Sequence, residues 1–288
     1  MKVVITGNNG FVGKATQKYF IERGIEAIGF DITNGQDITD WSVVHKFMND
    51  HKPDVVLHEA AIAQFSVADA NPKLAYQVNV KGTDIVSSAC AWLKIPLVHI
   101  STGSTYMPIE GAMPIKEDYP VRGNSVYGCS KATAEAYAKE AGRYIILRYG
   151  HLYGKEKIGH GLIGGYLKKI GEGKKPILMG GSQTNDFMYI NDVCGITYEA
   201  VTAIVDPKRK KAWNQAFNAG SGVELTAKEA GDILCDVVGW KGGVEITAPR
   251  EVDANRFVYD MSKAKKLLGF KPKYSFREGL EDMLNNNK

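Results

Sequence analysis

The sequence predicts an α/β protein: a doubly wound parallel sheet with a smaller C-terminal lobe. Three observations carry this expectation. Short, almost wholly apolar strands alternate with helical patterns through the first 150 residues, which is the pattern of a parallel sheet covered on both faces. The first strand runs into a glycine-rich turn that opens a helix. Beyond Gly150 the alternation weakens, and glycine and lysine crowd residues 154–175.

The elements follow in order. KVVITG (2–7) is a strand ending on glycine, and a helical pattern from Phe11 to Arg23 stops at Gly24, a residue suited to a helix C-terminus. EAIGFD (26–31) is a second strand closing on an acid, and DWSVVHKFMNDH (40–51) reads as a helix capped by Asp40. PDVVLHEAA (53–61) is a third strand, 73–93 a long helix and PLVHIST (96–102) a fourth strand. Residues 128–142 form an alanine-rich helix and RYIILRYG (143–150) a further strand. Residues 1–150 are expected to make the sheet domain. Residues 151–288 mainly build the smaller lobe, with parts of 186–220 returning to the sheet.

The 288 residues are 44% apolar and 24% charged with a formal net charge of +4, ordinary for a globular protein. The basic run Lys208–Lys211 reads as a solvated loop or helix start rather than a nucleic-acid patch. No stretch of 18 apolar residues suggests a membrane span, and the N-terminal apolar run reads as a strand, not a secretory signal. Cys90, Cys129, Cys194 and Cys235 contain no Cys-x-x-Cys, and the six histidines lack ligand spacing. A cytoplasmic protein with free thiols and no metal is expected, with neither nucleic acid nor membrane as partner.

The turn VVITGNNGFVGK (3–14) places Gly7, Gly10 and Gly13 in a G-x-x-G-x-x-G pattern between strand and helix. A pyrophosphate needs close approach to backbone N–H groups, and a helix N-terminus offers partial positive charge. The pattern therefore reads as a Rossmann-type dinucleotide cradle, with Asn9, Phe11 and Val12 as its remaining lining. Asp31 ends the second strand, eighteen residues beyond Gly13. A carboxylate there accepts from ribose hydroxyls and repels a 2′-phosphate, so NAD is favoured over NADP. Asp37 and Ile38 either face the adenine edge or form a plain turn and core residue.

VYGCSK (126–131) sets Tyr127 four residues before Lys131, on one helix face. Free phenol and ammonium groups ionise near ~10 and ~10.4, so neither alone is ready for proton transfer at neutral pH.

Taken together, these segments resemble the extended short-chain dehydrogenase/reductases, the NAD-dependent sugar-nucleotide epimerases and dehydratases. The ordered motifs are T-G-x-x-G-x-x-G at 6–13, Asp37-Ile38, H-x-A-A at His58–Ala61, N-x-x-G-T at Asn79–Thr83, STGSTY at 101–106 and Y-x-x-x-K at Tyr127–Lys131. RYGHLYG (148–154), NDFMYINDV (185–193) and DMSKAKKLLGFKPKYSFREGL (260–280) follow in the family's order. The resemblance implies a Rossmann domain, NAD, and a catalytic trio of Thr102, Tyr127 and Lys131, with Ser101 and Ser104 as rivals to Thr102. It implies that an ammonium and the positive nicotinamide lower the Tyr127 pKa toward neutrality. It places Ala60, Ala61, Asn79 and Tyr149 around the cofactor, Asn79 as an organiser of backbone. Ser104, His151, Asn185 and Arg250 fall on substrate-binding positions, with Lys155 and Arg256 as further candidates.

Two departures narrow the reaction. Dehydratases of this family carry Asp-Glu after the threonine, where this chain has Gly103-Ser104, so dehydration is disfavoured. His151 stands where asparagine is usual and Asn185 where arginine is usual. The leading reading is an epimerase acting at a sugar carbinol, C4 foremost, of a nucleoside-diphosphate sugar. The alternatives are a net reductase or dehydrogenase of a related sugar nucleotide or polyol, and a non-catalytic NAD(H)-binding sensor. The chain length is nearer the family's 4-reductases. The resemblance also implies a homodimer joined through segments 73–93 and 128–142, unless the alanines of the second pack only within the subunit.

Overall fold

A computed structural model describes residues 1–107, 111, 113–155, 161–248 and 256–285. The first half runs β1 (Lys2–Thr6), α1 (Phe11–Ile21), β2 (Glu26–Phe30), α2 (Trp41–His51), β3 (Val55–His58), α3 (Phe65–Ala70), α4 (Pro72–Tyr76), α5 (Gly82–Leu93), β4 (Leu97–Thr102), α6 (Val126–Ala138) and β5 (Tyr144–Tyr149). Then come β6 (His151–Tyr153), α7 (Gly161–Gly171), β7 (Ile177–Met179), β8 (Thr184–Tyr189), α8 (Ile190–Val205), β9 (Gln215–Ala219), β10 (Glu224–Thr226), α9 (Ala227–Val237), β11 (Glu245–Thr247), α10 (Ser262–Leu267) and α11 (Phe276–Asn285).

Side chains alternate across a strand, and here both faces are apolar. Val3, Ile5, Leu57, Val98 and Leu147 pack on one side with Phe20 of α1 and Val193 and Ala200 of α8. Val4, Val56, Leu97 and Ile146 pack on the other with Val44 and Met48 of α2 and Val86 and Cys90 of α5. The sheet order is β2-β1-β3-β4-β5-β9, and every pairing is parallel. The chain leaves β1 toward β2 and returns to β3 on the other side of β1. That reversal opens a crevice at the carboxyl ends of β1 and β3, where ligands bind in such sheets.

Local chemistry sets the element ends. Asp40 caps α2 by accepting from Ser42 N and Val43 N at 2.8 and 3.2 Å. The long helix read over 73–93 is instead α4, a π-helical turn over Gln77–Lys81, and α5. Asn71 caps its start and Pro72 follows. The π-turn widens the helix by one residue at fully buried Asn79. Ser125 caps α6, which starts two residues earlier than the pattern suggested, at Val126, and a 3-10 turn extends it to Ala141.

Beyond β5, a three-stranded sheet of order β10-β8-β6 and a β7–β11 pair form beside the main sheet, while β9 returns to pair with β5. Two buried acids tie this region together. Asp186 accepts from Ser221 N and Oγ at 2.6 Å, Gly222 N at 3.0 Å and Tyr259 N at 3.2 Å. Asp192 accepts from Lys273 N and Tyr274 N. No helix among the described residues is long and apolar enough to cross a membrane.

Candidate active site

The crevice begins at the glycine turn. Gly7 has φ +76°, and a Cβ there would lie 2.7 Å from Ala60 Cα. A Cβ on Gly13 would lie 2.3 Å from the Gly7 carbonyl oxygen, so α1 and the turn approach in a way only glycine permits. Gly10 caps α1 without a side-chain hydrogen bond, leaving the helix N-terminus, with Phe11 and Val12, facing the crevice mouth. Asp31, 7% exposed, accepts from Asn9 N at 3.1 Å and from Thr33 N and Oγ1 at 2.9 and 2.8 Å. Asn9 Nδ2 donates to Thr33 Oγ1 at 2.6 Å. This cradle, closed to any Cβ and walled by an acid, fits a dinucleotide with free ribose hydroxyls.

The floor is built by threonines. Thr83 Oγ1 donates to Asn79 O at 2.7 Å, so toward His58 Nε2, 3.0 Å away, it accepts. His58 is therefore protonated on Nε2, and its Nδ1 accepts from Thr6 Oγ1 at 2.7 Å. Thr6 Oγ1 in turn accepts from Ala60 N at 3.2 Å. This chain of bonds fixes Ala60 and the adjoining Ala61 against the end of β1. Burial lowers the His58 pKa to about 3, with Lys131 adding to the effect, so the ring is neutral. Asn79 accepts from Ile62 N at 2.8 Å and donates to Ser130 Oγ at 2.9 Å, joining the loop after β3 to α6.

The three expected catalytic residues lie on two neighbouring elements, β4 and α6. Tyr127 and Lys131 lie one turn apart on α6, 9% and 3% exposed. The Thr102 hydroxyl, at the end of β4, lies close enough to the Tyr127 phenol to favour its ionised form. Phe65 of α3 meets the Tyr127 ring edge-on at 5.1 Å. Ser101 points the other way: it is buried and donates to Glu135 at 2.6 Å. Ser104 stays beside Thr102, with its N–H 3.3 Å from Thr102 Oγ1. The fit of α6 against this turn is close, since a Cβ on Gly128 would lie 2.7 Å from Ser104 O.

The electrostatics correct one expectation. Burial raises the Tyr127 phenol above its usual value, and the Thr102 hydroxyl only opposes this. In the protein alone, desolvation outweighs any help from the neighbouring ammonium. Burial lowers Lys131 to about 8, against the pull of Glu135. Tyr127 thus needs a further positive charge before its phenolate is populated near neutral pH, and a bound oxidised nicotinamide supplies one.

Other positions are also revised. Tyr149, expected at the cofactor, buries its ring in the core and meets Thr197 of α8, hydroxyl to hydroxyl at 2.6 Å, so its side chain is not presented to the crevice. The Ile38 side chain is likewise core: a Cβ on Gly82 would lie 2.5 Å from its Cδ1. Asp37 closes a local turn, accepting from Thr39 N at 2.8 Å.

Of the residues expected to bind substrate, His151 lies edge-on to Phe257 at 5.6 Å, and Asn185 pairs with Leu225 across the β8–β10 ladder. Arg256 is already engaged, donating to both Glu224 oxygens at 2.7 and 2.6 Å. That pairing lowers the Glu224 carboxyl to about 2, with Thr184 contributing. Arg250 lies outside the described residues.

Two groups were not anticipated. Glu59, the variable residue of H-x-A-A, turns inward, where Thr16 donates to Oε1 at 3.3 Å while Oε2 is buried without a partner. His99 of β4 places Nε2 3.4 Å from Lys131 Nζ. The signal for both was in the sequence, as an acid and a base interrupting otherwise apolar strands.

Comparison with known proteins agrees with this geometry. The model of the NAD dependent epimerase/dehydratase family matches residues 3–220, and the chain belongs to that family. It is 30% identical to the putative UDP-glucose 4-epimerase of Methanocaldococcus jannaschii, over 98% of this chain and 97% of that one. Among solved structures, the UDP-glucose 4-epimerase of Thermus thermophilus in complex with NAD superposes with a TM-score of 0.85 at 25% identity, covering 99% and 98% of the two chains. The UDP-glucuronic acid 4-epimerase of Bacillus cereus, in complex with UDP-glucuronic acid and NAD, gives the same TM-score, identity and coverage.

Proposed function

We propose that the chain is an NAD-dependent sugar-nucleotide epimerase that inverts a sugar carbinol, C4, through a transient ketone. The observation that carries this reading is the Thr102–Tyr127 contact beside buried Lys131, at the mouth of a cradle that accepts a dinucleotide. Similarity to 4-epimerases that bind UDP-sugars supports a uridine diphosphate sugar as substrate.

When bound, NAD would supply the reversible hydride acceptor that such an inversion needs. Tyr127 takes the proton of the substrate hydroxyl as that carbon is oxidised, and gives it back on reduction. Thr102 donates to the reacting oxygen and holds it against the phenol. The Lys131 ammonium favours the phenolate and reaches ribose hydroxyls. Asp31 would accept from the adenosine ribose, and Gly7, Gly10 and Gly13 would admit the pyrophosphate. Ser104, His151 and Asn185 line the sugar-nucleotide side.

The structure also bears on dehydration. A Cβ on Gly103 would lie 2.4 Å from both Phe257 Cζ and Tyr259 OH. The carboxylate that dehydratases place there would need both rings to shift.

A panel of UDP-glucose, UDP-glucuronate and dTDP-glucose, followed by proton NMR and nicotinamide absorbance, tests the reading. We expect one UDP-sugar to reach an equilibrium of two C4 epimers with no net absorbance change. Stoichiometric accumulation of reduced nicotinamide, or no turnover of any sugar, contradicts it. The one-domain-plus-lobe division at residue 150, a homodimer and a cytoplasmic setting, consistent with four free cysteines, belong to the same proposal.

A further inference from the structure

His99 has no role in the reaction as set out above, yet it sits directly behind the reacting groups. It is fully buried on β4. Its Nε2 lies 3.4 Å from Lys131 Nζ, while its Nδ1 has no hydrogen-bond partner among the described residues. Its ring is tilted on that of His58, with centroids 5.3 Å apart. The charged and titratable groups facing it are Lys131 of α6 and His58 of β3, with Glu135 one turn beyond Lys131.

An ammonium has three donors and no acceptor. The imidazole nitrogen that faces it must therefore carry a lone pair, which puts the His99 proton on Nδ1. We propose that His99 is a positioning residue for Lys131: its neutral imidazole, in the Nδ1–H tautomer, accepts a hydrogen bond from the ammonium and holds it in register with Tyr127. The inference rests on the epimerase reading only in giving Lys131 a task.

Burial and the nearby ammonium keep the His99 imidazole well below its ordinary pKa, so the ring stays neutral. The reverse bond, from a His99 N–H to a neutral amine, requires Lys131 to lose its proton, which happens only near pH 8 and above. An orphaned buried N–H is costly, so the tautomer is maintained against a penalty. His58, in ring-to-ring contact with it, is fixed as Nε2–H by its threonines. The two neighbouring histidines are thus expected in opposite tautomers.

Two readouts test this on the NAD-loaded protein. Long-range 15N–1H correlation spectra at pH 7 should show His99 as Nδ1–H and His58 as Nε2–H. The Lys131 Cε resonance, identified with Lys131→Met, should titrate about one unit lower in His99→Leu and near the wild-type value in His99→Gln, which keeps an acceptor. The alkaline limb of kcat should move with it. An Nε2–H tautomer at His99, an unchanged Lys131 titration in His99→Leu, or equal shifts in both variants overturns the proposal. Neither spectroscopic readout needs turnover. If no sugar is turned over while the spectra behave as stated, the epimerase reading fails and the His99–Lys131 bond stands.

Discussion

At the scale of single residues, environment decides what each group can do. A phenol one turn from an ammonium would ionise more easily in water, but at Tyr127 burial reverses the direction. The same rule makes Glu59 a test of the fold around the cradle. Burial raises its carboxyl from 4.5 to about 8, against a hydrogen bond from Thr16. A group with a raised folded-state pKa binds more protons folded than unfolded between those values. Its contribution is intact below about pH 4.5 and is lost as pH rises through 8. Glu59→Gln, neutral throughout, should flatten this slope and gain a few kcal/mol over wild type at pH 9 relative to pH 5. Urea denaturation at the two pH values measures the difference, and parallel curves for the two proteins would contradict it.

At the scale of elements, residues that read as site residues divide between chemistry and scaffolding. Ser101 and Arg148 lie in motif segments of the catalytic strand pair, yet both serve a buried network. Arg148 grips Glu135 through Nε and Nη2 at 2.9 and 2.7 Å, and its Nη1 donates to Tyr106 OH at 2.6 Å. Tyr106 donates to Asn218 of β9 at 2.7 Å. The network clamps α6, and with it Tyr127 and Lys131, to β4, β5 and β9. Arg148→Met would strand the Glu135 charge and should cost about 3–5 kcal/mol. Adding Glu135→Leu should recover much of the loss, read from urea midpoints. A single variant within about 0.5 kcal/mol of wild type, the usual range for surface changes, would refute the clamp.

The sequence made β1, α1 and β2 easy to read, because apolar runs, turn glycines and a closing acid are local signals. The Tyr127–Lys131 spacing is local too. The π-turn at Gln77–Lys81 is not, since nothing in its composition marks one extra residue in a helical turn. Nor is the direction of Tyr149 or Ile38, which depends on Thr197 and Gly82 far along the chain. Serine, threonine and glycine at 101–104 look interchangeable in one dimension. The strand's alternation sends Ser101 inward and leaves Thr102 at the crevice.

At the scale of the molecule, α4, α5 and α6 each leave one aromatic side chain exposed. Trp92 is 74% exposed, with Tyr76 and Tyr137 also exposed, and a groove of about 360 Å³ runs between Tyr76, Val80, Lys81 and Tyr137. Ala134 and Ala138 are buried within the subunit, Ala132 is half-buried and Ala136 is exposed, so of these four alanines only Ala136 is left fully free for a partner. Sedimentation equilibrium should give a dimer that Tyr137→Glu reduces to monomer. A monomeric wild type would remove the dimer from the account.

The same crevice must both oxidise and reduce one carbon, and isotope labelling reads this directly. UDP-glucose carrying deuterium at C4, incubated with the holoenzyme, should yield the C4 epimer with deuterium retained at C4, and Tyr127→Phe should lower the rate by at least about 100-fold, the loss of a general acid–base. Epimer carrying protium from solvent at C4, or a Tyr127→Phe protein as fast as wild type, would contradict the account.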